Sequence, residues 1–129
     1  APCTSPLVKH ETYENFFQSF LLSKNKFDSF NSVKILASHI WVKNKPLNYN
    51  PSNAPNSQEL PKDICSLTYG INIISRSDMI KYQNIVGKKP NFFPLDDIEC
   101  TDIDTNLDFS IAQYLYSNFE KNNNIILEN

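Results

Sequence analysis

One stretch concentrates the side chains that could do chemistry, and it lies just before the last predicted helix. Its carboxylates are Asp96, Asp97, Glu99, Asp102 and Asp104. Carboxylate oxygens are ligands that calcium prefers, but the stretch lacks the glycine and the regular alternation of a calcium-binding loop. A solvated acidic face at a helix start, where negative charge is favourable, is the simpler interpretation. The other use is an electrostatic surface for a basic partner, with Asp96, Asp97, Glu99 and Asp102 as its candidate residues.

Other reactive groups are few and scattered along the chain. Gly70 and Gly87 are the only glycines, so no phosphate-binding loop can form. His10 and His39 are isolated, and no spacing recommends a nucleophilic pair of cysteine and histidine. We therefore expect no catalytic residues, no cofactor and no metal site, and we predict that the protein is not an enzyme.

The three cysteines, Cys3, Cys65 and Cys100, permit three single disulfides, each of which leaves one thiol over. No Cys-x-x-Cys redox motif occurs. The pair Cys65–Cys100 is preferred, because it would join two predicted helical regions and stabilise the fold by roughly 3–4 kcal/mol through a loop of about 36 residues. Cys3 would then be free or bonded across a dimer. The alternative is that all three thiols are reduced.

The charge and the start of the sequence bear on partners and location. The net charge is −2 and no block of lysine or arginine occurs, which argues against nucleic-acid binding. No apolar run approaches the roughly 18 residues that span a bilayer. The sequence begins Ala1-Pro2-Cys3 without methionine, which we interpret as a chain after signal-peptide removal. We therefore expect a periplasmic or secreted protein.

The length suits a single domain, residues 1–129. Residues 1–8 are predicted to form an N-terminal arm. Residues 44–61 are predicted to form a loop, because prolines and asparagines alternate there and favour turns. Loops of this length are often functional. Tyr49 lies at the centre of this loop and is a candidate for partner contact.

Helical spacing of apolar residues predicts an all-α domain of four to five helices, tied by the disulfide. The predicted helices cover residues 10–24, 30–43, 62–74 and 79–86, with a last helix after Thr105 that the asparagines 122–124 end. Segments 32–42 and 67–74 also fit strands, since they are rich in valine, isoleucine and aromatic residues. The alternative is therefore an α+β domain of cystatin-like or NTF2-like shape, with a helix on a curved antiparallel sheet.

Two apolar stripes are predicted to form the core of this domain. The first helix carries Tyr13, Phe16, Phe17, Phe20 and Leu21, which could also be half of a homodimer interface. The last helix carries Leu107, Ile111, Tyr114, Leu115 and Phe119.

Three segments of the second half carry a family resemblance. Residues 65–70 begin with a cysteine and end with a glycine, residues 93–100 form a loop with a proline and a second cysteine, and residues 105–115 read as a helix ending in Tyr114-Leu115. Over roughly residues 63–120, about half of the chain, these segments resemble the Rap1a/Tai family of exported bacterial proteins, which includes immunity proteins of type VI secretion systems. The resemblance implies a mostly helical, periplasmic, non-catalytic domain that inhibits a toxin by occluding its active site.

The sequence thus favours an exported, non-enzymatic binding protein with a protein partner, of which a secreted toxin is one kind. A homodimer is a further expectation. Two other functions stay open at this point: a small α+β ligand-binding or accessory domain, and a secreted virulence effector.

Overall fold

The computed structural model describes residues 2–23 and 25–127, and for residues 119–127 it describes the backbone alone. The elements are α1 His10–Ser23, β1 Ser29–Ile35, β2 Trp41–Val42, β3 Lys45–Pro46, β4 Cys65–Ile74, α2 Arg76–Tyr82, β5 Pro90–Pro94 and α3 Asn106–Leu127. The fold is therefore mixed α and β. The predicted all-α domain is wrong, and the α+β alternative fits.

A three-stranded sheet forms the centre of the molecule, in the order β4-β1-β5. The middle strand β1 is antiparallel to β4 and parallel to β5. Strand β5 begins and ends with proline, which a sheet tolerates at its edge because no ladder hydrogen bond is lost there. Strands β2 and β3 form a separate hairpin.

Residues 30–43 do not form the predicted helix, because β1 occupies the first part of this segment. Phe30 and Val33 are buried on opposite faces of β1. A strand that is covered on both faces does not alternate between apolar and polar residues, so it lacks the period of two that would identify it. The apolar residues of β1 therefore matched a helical spacing by chance.

Some polar side chains of β1 are buried. They form hydrogen bonds with backbone groups of residues 85–87, which cover this face of the strand. The Ser29 hydroxyl accepts a hydrogen bond from the Gly87 amide at 2.8 Å. Asn31 Nδ2 donates to the Ile85 carbonyl at 3.1 Å and to Asn72 Oδ1 at 3.0 Å. The chain after α2 thus closes one face of β1, while α1 closes the other.

The predicted helix over residues 62–74 is also wrong, because this segment is strand β4. A large irregular bulge explains the helix-like spacing: the four residues between Leu67 and Asn72 lie opposite Ser32 alone. Tyr69 in the bulge has a left-handed backbone with φ of 56°. The Ser32 hydroxyl accepts from the Ile71 amide at 2.9 Å, which replaces a ladder bond that the bulge removes.

The core lies between α1 and the sheet, and it is built from edge-to-face aromatic contacts. Phe16 is fully buried, with its ring centroid 6.2 Å from that of Phe30 and 5.3 Å from that of Phe93. Phe20 also packs on Phe30, at 5.5 Å. The predicted core role of the first helix is thus confirmed for Phe16. Two members of the stripe are exposed, namely Phe17 and Leu21.

The stripe predicted on the last helix is not a core stripe. Leu107, Ile111 and Tyr114 are exposed, Leu115 is half-buried, and the side chain of Phe119 lies outside the described part of the chain. α3 does begin as predicted: the Thr105 amide donates to Asp108 Oδ2 at 2.8 Å, and the Asp108 amide donates back to Thr105 Oγ1 at 3.3 Å. α3 then continues through the asparagines to Leu127.

All three cysteines are free thiols, so the predicted disulfide between Cys65 and Cys100 is wrong. Cys65 begins β4 and lies opposite Ile35 in the sheet, whereas Cys100 packs against the core beside the Leu95 carbonyl. Burial raises the pKa of the Cys100 thiol, which disfavours the reactive thiolate.

Candidate functional site

The buried carboxylate of the acidic stretch, Glu99, caps the start of α1 from the far end of the chain. The Lys9 carbonyl accepts hydrogen bonds from the amides of Thr12 and Tyr13, so Lys9 stands at the N-cap. A lysine side chain cannot accept a hydrogen bond there. Glu99 Oε1 instead accepts from the Lys9 amide itself at 3.0 Å and from Thr12 Oγ1 at 2.5 Å, so it serves the N-cap amide as the N3 carboxylate of a capping box does.

Asp96 holds the same helix start through an ion pair. Its Oδ2 lies 2.8 Å from Lys9 Nζ, and its Oδ1 accepts from the Glu99 amide at 2.8 Å. Partial burial acts to raise the pKa of Asp96, but the hydrogen bonds from Lys9 and from the Glu99 amide outweigh it, and the pKa is lowered. The hydrogen bond to Asp96 raises the pKa of Lys9 in turn. Both groups therefore stay charged near neutral pH.

The remaining acidic candidates, Asp97 and Asp102, differ in their solvent exposure. Asp102 Oδ1 is 3.5 Å from the Ser5 hydroxyl, next to the bond from the Ile103 amide to the Thr4 carbonyl, so it helps to hold the N-terminal arm. Asp97 is mostly exposed and pairs with Lys34 at 3.1 Å. The structure thus brings the predicted residues together. Asp96, Glu99 and Asp102, however, bind the N-terminal arm and the start of α1. Among the described residues, no group of three or more histidines, cysteines and carboxylates could hold a metal ion.

The predicted loop 44–61 begins inside a tight hairpin. Trp41 pairs with Pro46 and Val42 pairs with Lys45. Both turn residues have a left-handed backbone, with φ of 49° at Lys43 and 63° at Asn44. This combination is typical of the two-residue type I′ turn, whose twist matches that of paired strands.

Tyr49, the candidate residue in this loop, lies against the base of the hairpin. Its ring meets that of His39 edge to face at a centroid distance of 4.5 Å, and that of Trp41 at 6.1 Å. His39 Nε2 lies 2.9 Å from the Pro55 carbonyl oxygen, which ties the ring to the rest of the loop. Tyr49 is half-buried and therefore supports Trp41 more than it offers a surface of its own.

Asn48 fixes the two sides of the hairpin base to one another. Its Oδ1 accepts from the Ile40 amide at 3.0 Å, and its Nδ2 donates to the Ser38 carbonyl at 2.8 Å. The Leu47 amide adds a backbone bond to the Ile40 carbonyl at 2.7 Å. The loop is thus an ordered support, although its proline and asparagine content predicts only turns.

We define the hairpin site as Trp41, Val42, Lys43, Lys45 and Leu47. Its three apolar side chains are half-exposed or more, at 53% for Trp41, 50% for Val42 and 56% for Leu47. Both of its lysines are exposed. Residues 29–58 contain three lysines and neither aspartate nor glutamate, so this part of a slightly acidic chain is basic.

Sequence reasoning missed Trp41, Val42 and Leu47 as surface residues, because it placed the first two in a helix or strand of the core. One indication was present, since Lys43-Asn44 lies between Trp41-Val42 and Lys45-Pro46. Asparagine tolerates the left-handed backbone that a two-residue hairpin turn requires.

No family model matches the chain, and no curated protein matches its sequence. The resemblance to the Rap1a/Tai family therefore stays a prediction, although the helix that it implies after Cys65 is strand β4. Within the residues that the structure describes, no helix is both long and apolar enough to cross a membrane.

Proposed function

We propose that this protein is a non-enzymatic binding domain that engages a protein partner through the hairpin site. One observation supports this most: the only tryptophan of the chain, Trp41, is about half exposed on a tight hairpin and is held from below by Tyr49. Tryptophan is strongly enriched among residues that dominate binding energy. A rigid hairpin also lowers the entropy that is lost when such a residue is ordered on binding.

The surroundings of Trp41 indicate the chemistry of the partner surface. Val42 and Leu47 extend the apolar area, and Lys43 and Lys45 flank it with positive charge. An apolar pocket with carboxylates at its rim would complement this arrangement. Rim charges act mainly on the association rate and on the salt dependence. We therefore expect binding to weaken as the ionic strength rises.

The acidic stretch supports this function less well than the hairpin site. Glu99 is buried, and Asp96 and Asp102 already hold the N-terminal arm and α1. Export from the cell and inhibition of a toxin stay predictions. If a toxin is the partner, the hairpin site is the element that we expect to enter its active site.

The test uses Trp41 as its own reporter. The chain is immobilised and exposed to an extract of the source cell, and a protein that it retains is purified. This protein is then titrated into a solution of the chain while the fluorescence emission of Trp41 is recorded. We expect a blue shift, because binding removes water from the indole ring. Leu47→Ala keeps the fluorophore and should weaken binding at least about tenfold. The matched control is Leu22→Ala, which truncates an exposed leucine of α1 and should leave binding unchanged.

Two outcomes would overturn the proposal. One is a purified partner that binds the wild type and the Leu47→Ala variant equally well. The other is a Trp41 emission shift that vesicles containing phosphatidylglycerol produce and that no purified protein produces. The second result would make the hairpin site a membrane-contacting surface, since lysines beside tryptophan also suit an anionic bilayer.

A further inference from the structure

A pocket of about 370 Å³ lies at the connection between α2 and β5. Gln83 ends α2 with a left-handed backbone, φ of 51°, and the chain then turns towards β5. The pocket is formed by the last turn of α2 together with this connection, and its lining contains two lysines and no carboxylate. The lining residues are Lys81, Tyr82, Asn84, Val86, Gly87 and Lys88.

The ammonium groups of both lysines lie near one aromatic ring. Lys81 Nζ is 5.2 Å from the centroid of the Tyr82 ring, and Lys88 Nζ is 5.7 Å from it. Both distances fall within the range of about 6 Å over which a cation is attracted to an aromatic face. Neither ammonium group forms an ion pair within the described part of the chain. The two positive charges therefore repel one another unless an anion lies between them.

Asp28 fixes the segment that carries Lys88. Its carboxylate oxygens accept hydrogen bonds from the amides of Lys88 and Lys89, at 2.9 Å each. A Cβ at Gly87 would lie 2.0 Å from Asp28 Oδ1, so glycine is the residue that leaves room for this carboxylate. Asp28 brings one negative charge close to the pocket, but backbone amides engage both of its oxygens, and two positive charges line the pocket itself.

This balance of charges favours a dianion as the ligand. Residues 64–95 contain four lysine or arginine residues and one carboxylate, Asp78, although the whole chain has a net charge of −2. A dianion neutralises both ammonium groups, whereas a monoanion leaves one of them unpaired. A phosphate monoester carries a charge of about −1.5 to −2 at pH 7, and lysine is a frequent phosphate ligand. Asn84 Oδ1 accepts from the Val86 amide at 3.1 Å, which leaves Asn84 Nδ2 as a further donor.

We propose that this pocket binds a small phosphate monoester, with its phosphate group between Lys81 and Lys88 and its organic part against Tyr82 and Val86. A free phosphate ion has the same charge but no organic part to cover the ring. The inference is independent of the proposed function, because the hairpin site lies on other elements. Lysine recognises charge more than shape, so we expect a dissociation constant on the order of 1 mM.

The only two glycines of the chain provide the signals for the test. Gly87 lines the pocket, whereas Gly70 is buried in the bulge of β4. The isotopically labelled full chain is titrated at constant ionic strength with phenyl phosphate up to about 20 mM, well above the expected dissociation constant, and the amide NMR signals of both glycines are recorded. We expect the Gly87 signal to move and to saturate while the Gly70 signal stays in place. Gly70→Ala identifies the two signals, since its added methyl group meets its nearest neighbours at 3.6 Å and should be tolerated.

Three lysine variants separate the pocket from the general field of the chain. Lys81→Ala and Lys88→Ala should each weaken the binding of phenyl phosphate about fivefold, because each removes one of the two charges that meet the phosphate. Lys89→Ala is the matched control, since it removes the same charge one residue further along from a side chain outside the lining. It should leave the affinity within about twofold of the wild type. An unchanged Gly70 signal in each variant shows that the fold is intact.

Two further ligands test the charge and the organic part separately. Benzoate has the same ring with one negative charge, and inorganic phosphate has the charge without the ring, so each should bind at least about threefold more weakly than phenyl phosphate. A Gly87 signal that phenyl phosphate leaves in place would overturn the proposal. A loss of affinity in Lys89→Ala as large as that in Lys88→Ala would do the same. Inorganic phosphate that binds as tightly as phenyl phosphate would overturn the monoester as the ligand, and benzoate that does so would overturn the need for a dianion.

Discussion

The acidic stretch 96–104 and the hairpin site show opposite relations between residue type and role. The acidic stretch has the polar side chains expected of a functional surface, yet Asp96 and Glu99 bind the start of α1. The hairpin site has the apolar side chains expected of a core, yet Trp41 and Leu47 are exposed.

This difference shows that the hydrogen-bond donors near a carboxylate decide whether it has a structural role or stays available to a partner. A helix start leaves several backbone amides without partners inside the helix, and Lys9 cannot satisfy them with its own side chain. A nearby carboxylate is thus drawn into the structure. The hairpin needs no carboxylate, because its strands pair with one another and the Asn48 side chain bonds the Ile40 amide and the Ser38 carbonyl at its base.

The largest expected effect is a loss of folding stability, which should be large for a substitution in the acidic stretch and small for one in the hairpin site. Glu99→Ala should lower the free energy of unfolding by about 3 kcal/mol, because it removes a buried carboxylate that accepts two charge-assisted hydrogen bonds, from the Lys9 amide and the Thr12 hydroxyl. Glu99→Gln should cost only about 1 kcal/mol, since its amide oxygen can still accept both bonds. Urea denaturation followed by circular dichroism measures both. Trp41→Ala should change stability by less than about 1 kcal/mol, and a loss as large as that of Glu99→Ala would erase the contrast.

The pH dependence of stability should also trace to the acidic stretch. The pKa of Asp96 is lowered in the folded state, so its contribution is full above the unfolded value of about 3.9 and is lost as the pH falls through the folded value. The pKa of Lys9 is raised, so its contribution is full below the unfolded value and is lost as the pH rises through the folded value.

The urea midpoint of the wild type should therefore decline at both ends of the pH range. In Asp96→Asn both declines should be shallower, although Asp28 and Asp108, whose pKa values are also lowered, keep part of the acid-side decline. Identical profiles for Asp96→Asn and the wild type would show that the ion pair with Lys9 contributes nothing.

A smaller effect should come from the hairpin turn. Asn44 has φ of 63°, a conformation that glycine adopts without strain. Asn44→Gly should raise the free energy of unfolding by about 0.5 kcal/mol and leave the Trp41 emission unchanged. Thermal unfolding followed by circular dichroism detects the gain. A destabilised Asn44→Gly variant would mean that the turn is not of type I′.

The smallest effect should come from the open end of the acidic stretch. Asp97 is 87% exposed and its ion pair with Lys34 faces solvent. Asp97→Asn should change the free energy of unfolding by less than about 0.5 kcal/mol, because water and salt screen exposed pairs. A loss above about 1 kcal/mol in the same urea assay would place Asp97 with Glu99 as a structural residue.

Local features of the sequence predict α1 and the start of α3 well, since both depend on neighbouring residues. The stripe around Phe16 and the pair Thr105–Asp108 are examples. Strands β1 and β4 could not be told from helices, because burial on both faces hides the alternation in one and a bulge shifts it in the other. Pairing between distant segments decides such cases.

The candidate site was predictable only in part. The loop around Tyr49 could be selected for its length and composition, whereas the exposure of Trp41 depends on how the loop folds back on itself. The role of Glu99 was out of reach, because its hydrogen-bond donors lie 90 and 87 residues away. Spacing along the chain carries no information about such contacts.

The distant cap has a consequence for the order of events during synthesis. During synthesis α1 precedes the carboxylate that binds its start, which follows 90 residues later. At about 5–20 residues per second, α1 waits roughly 5–20 s for Glu99. Strand β5, which completes the sheet around β1, leaves the ribosome only shortly before Glu99. We therefore expect this domain of the nascent chain to stay unfolded until Glu99 has left the ribosome, with its aromatic residues open to chaperones or to a translocation channel.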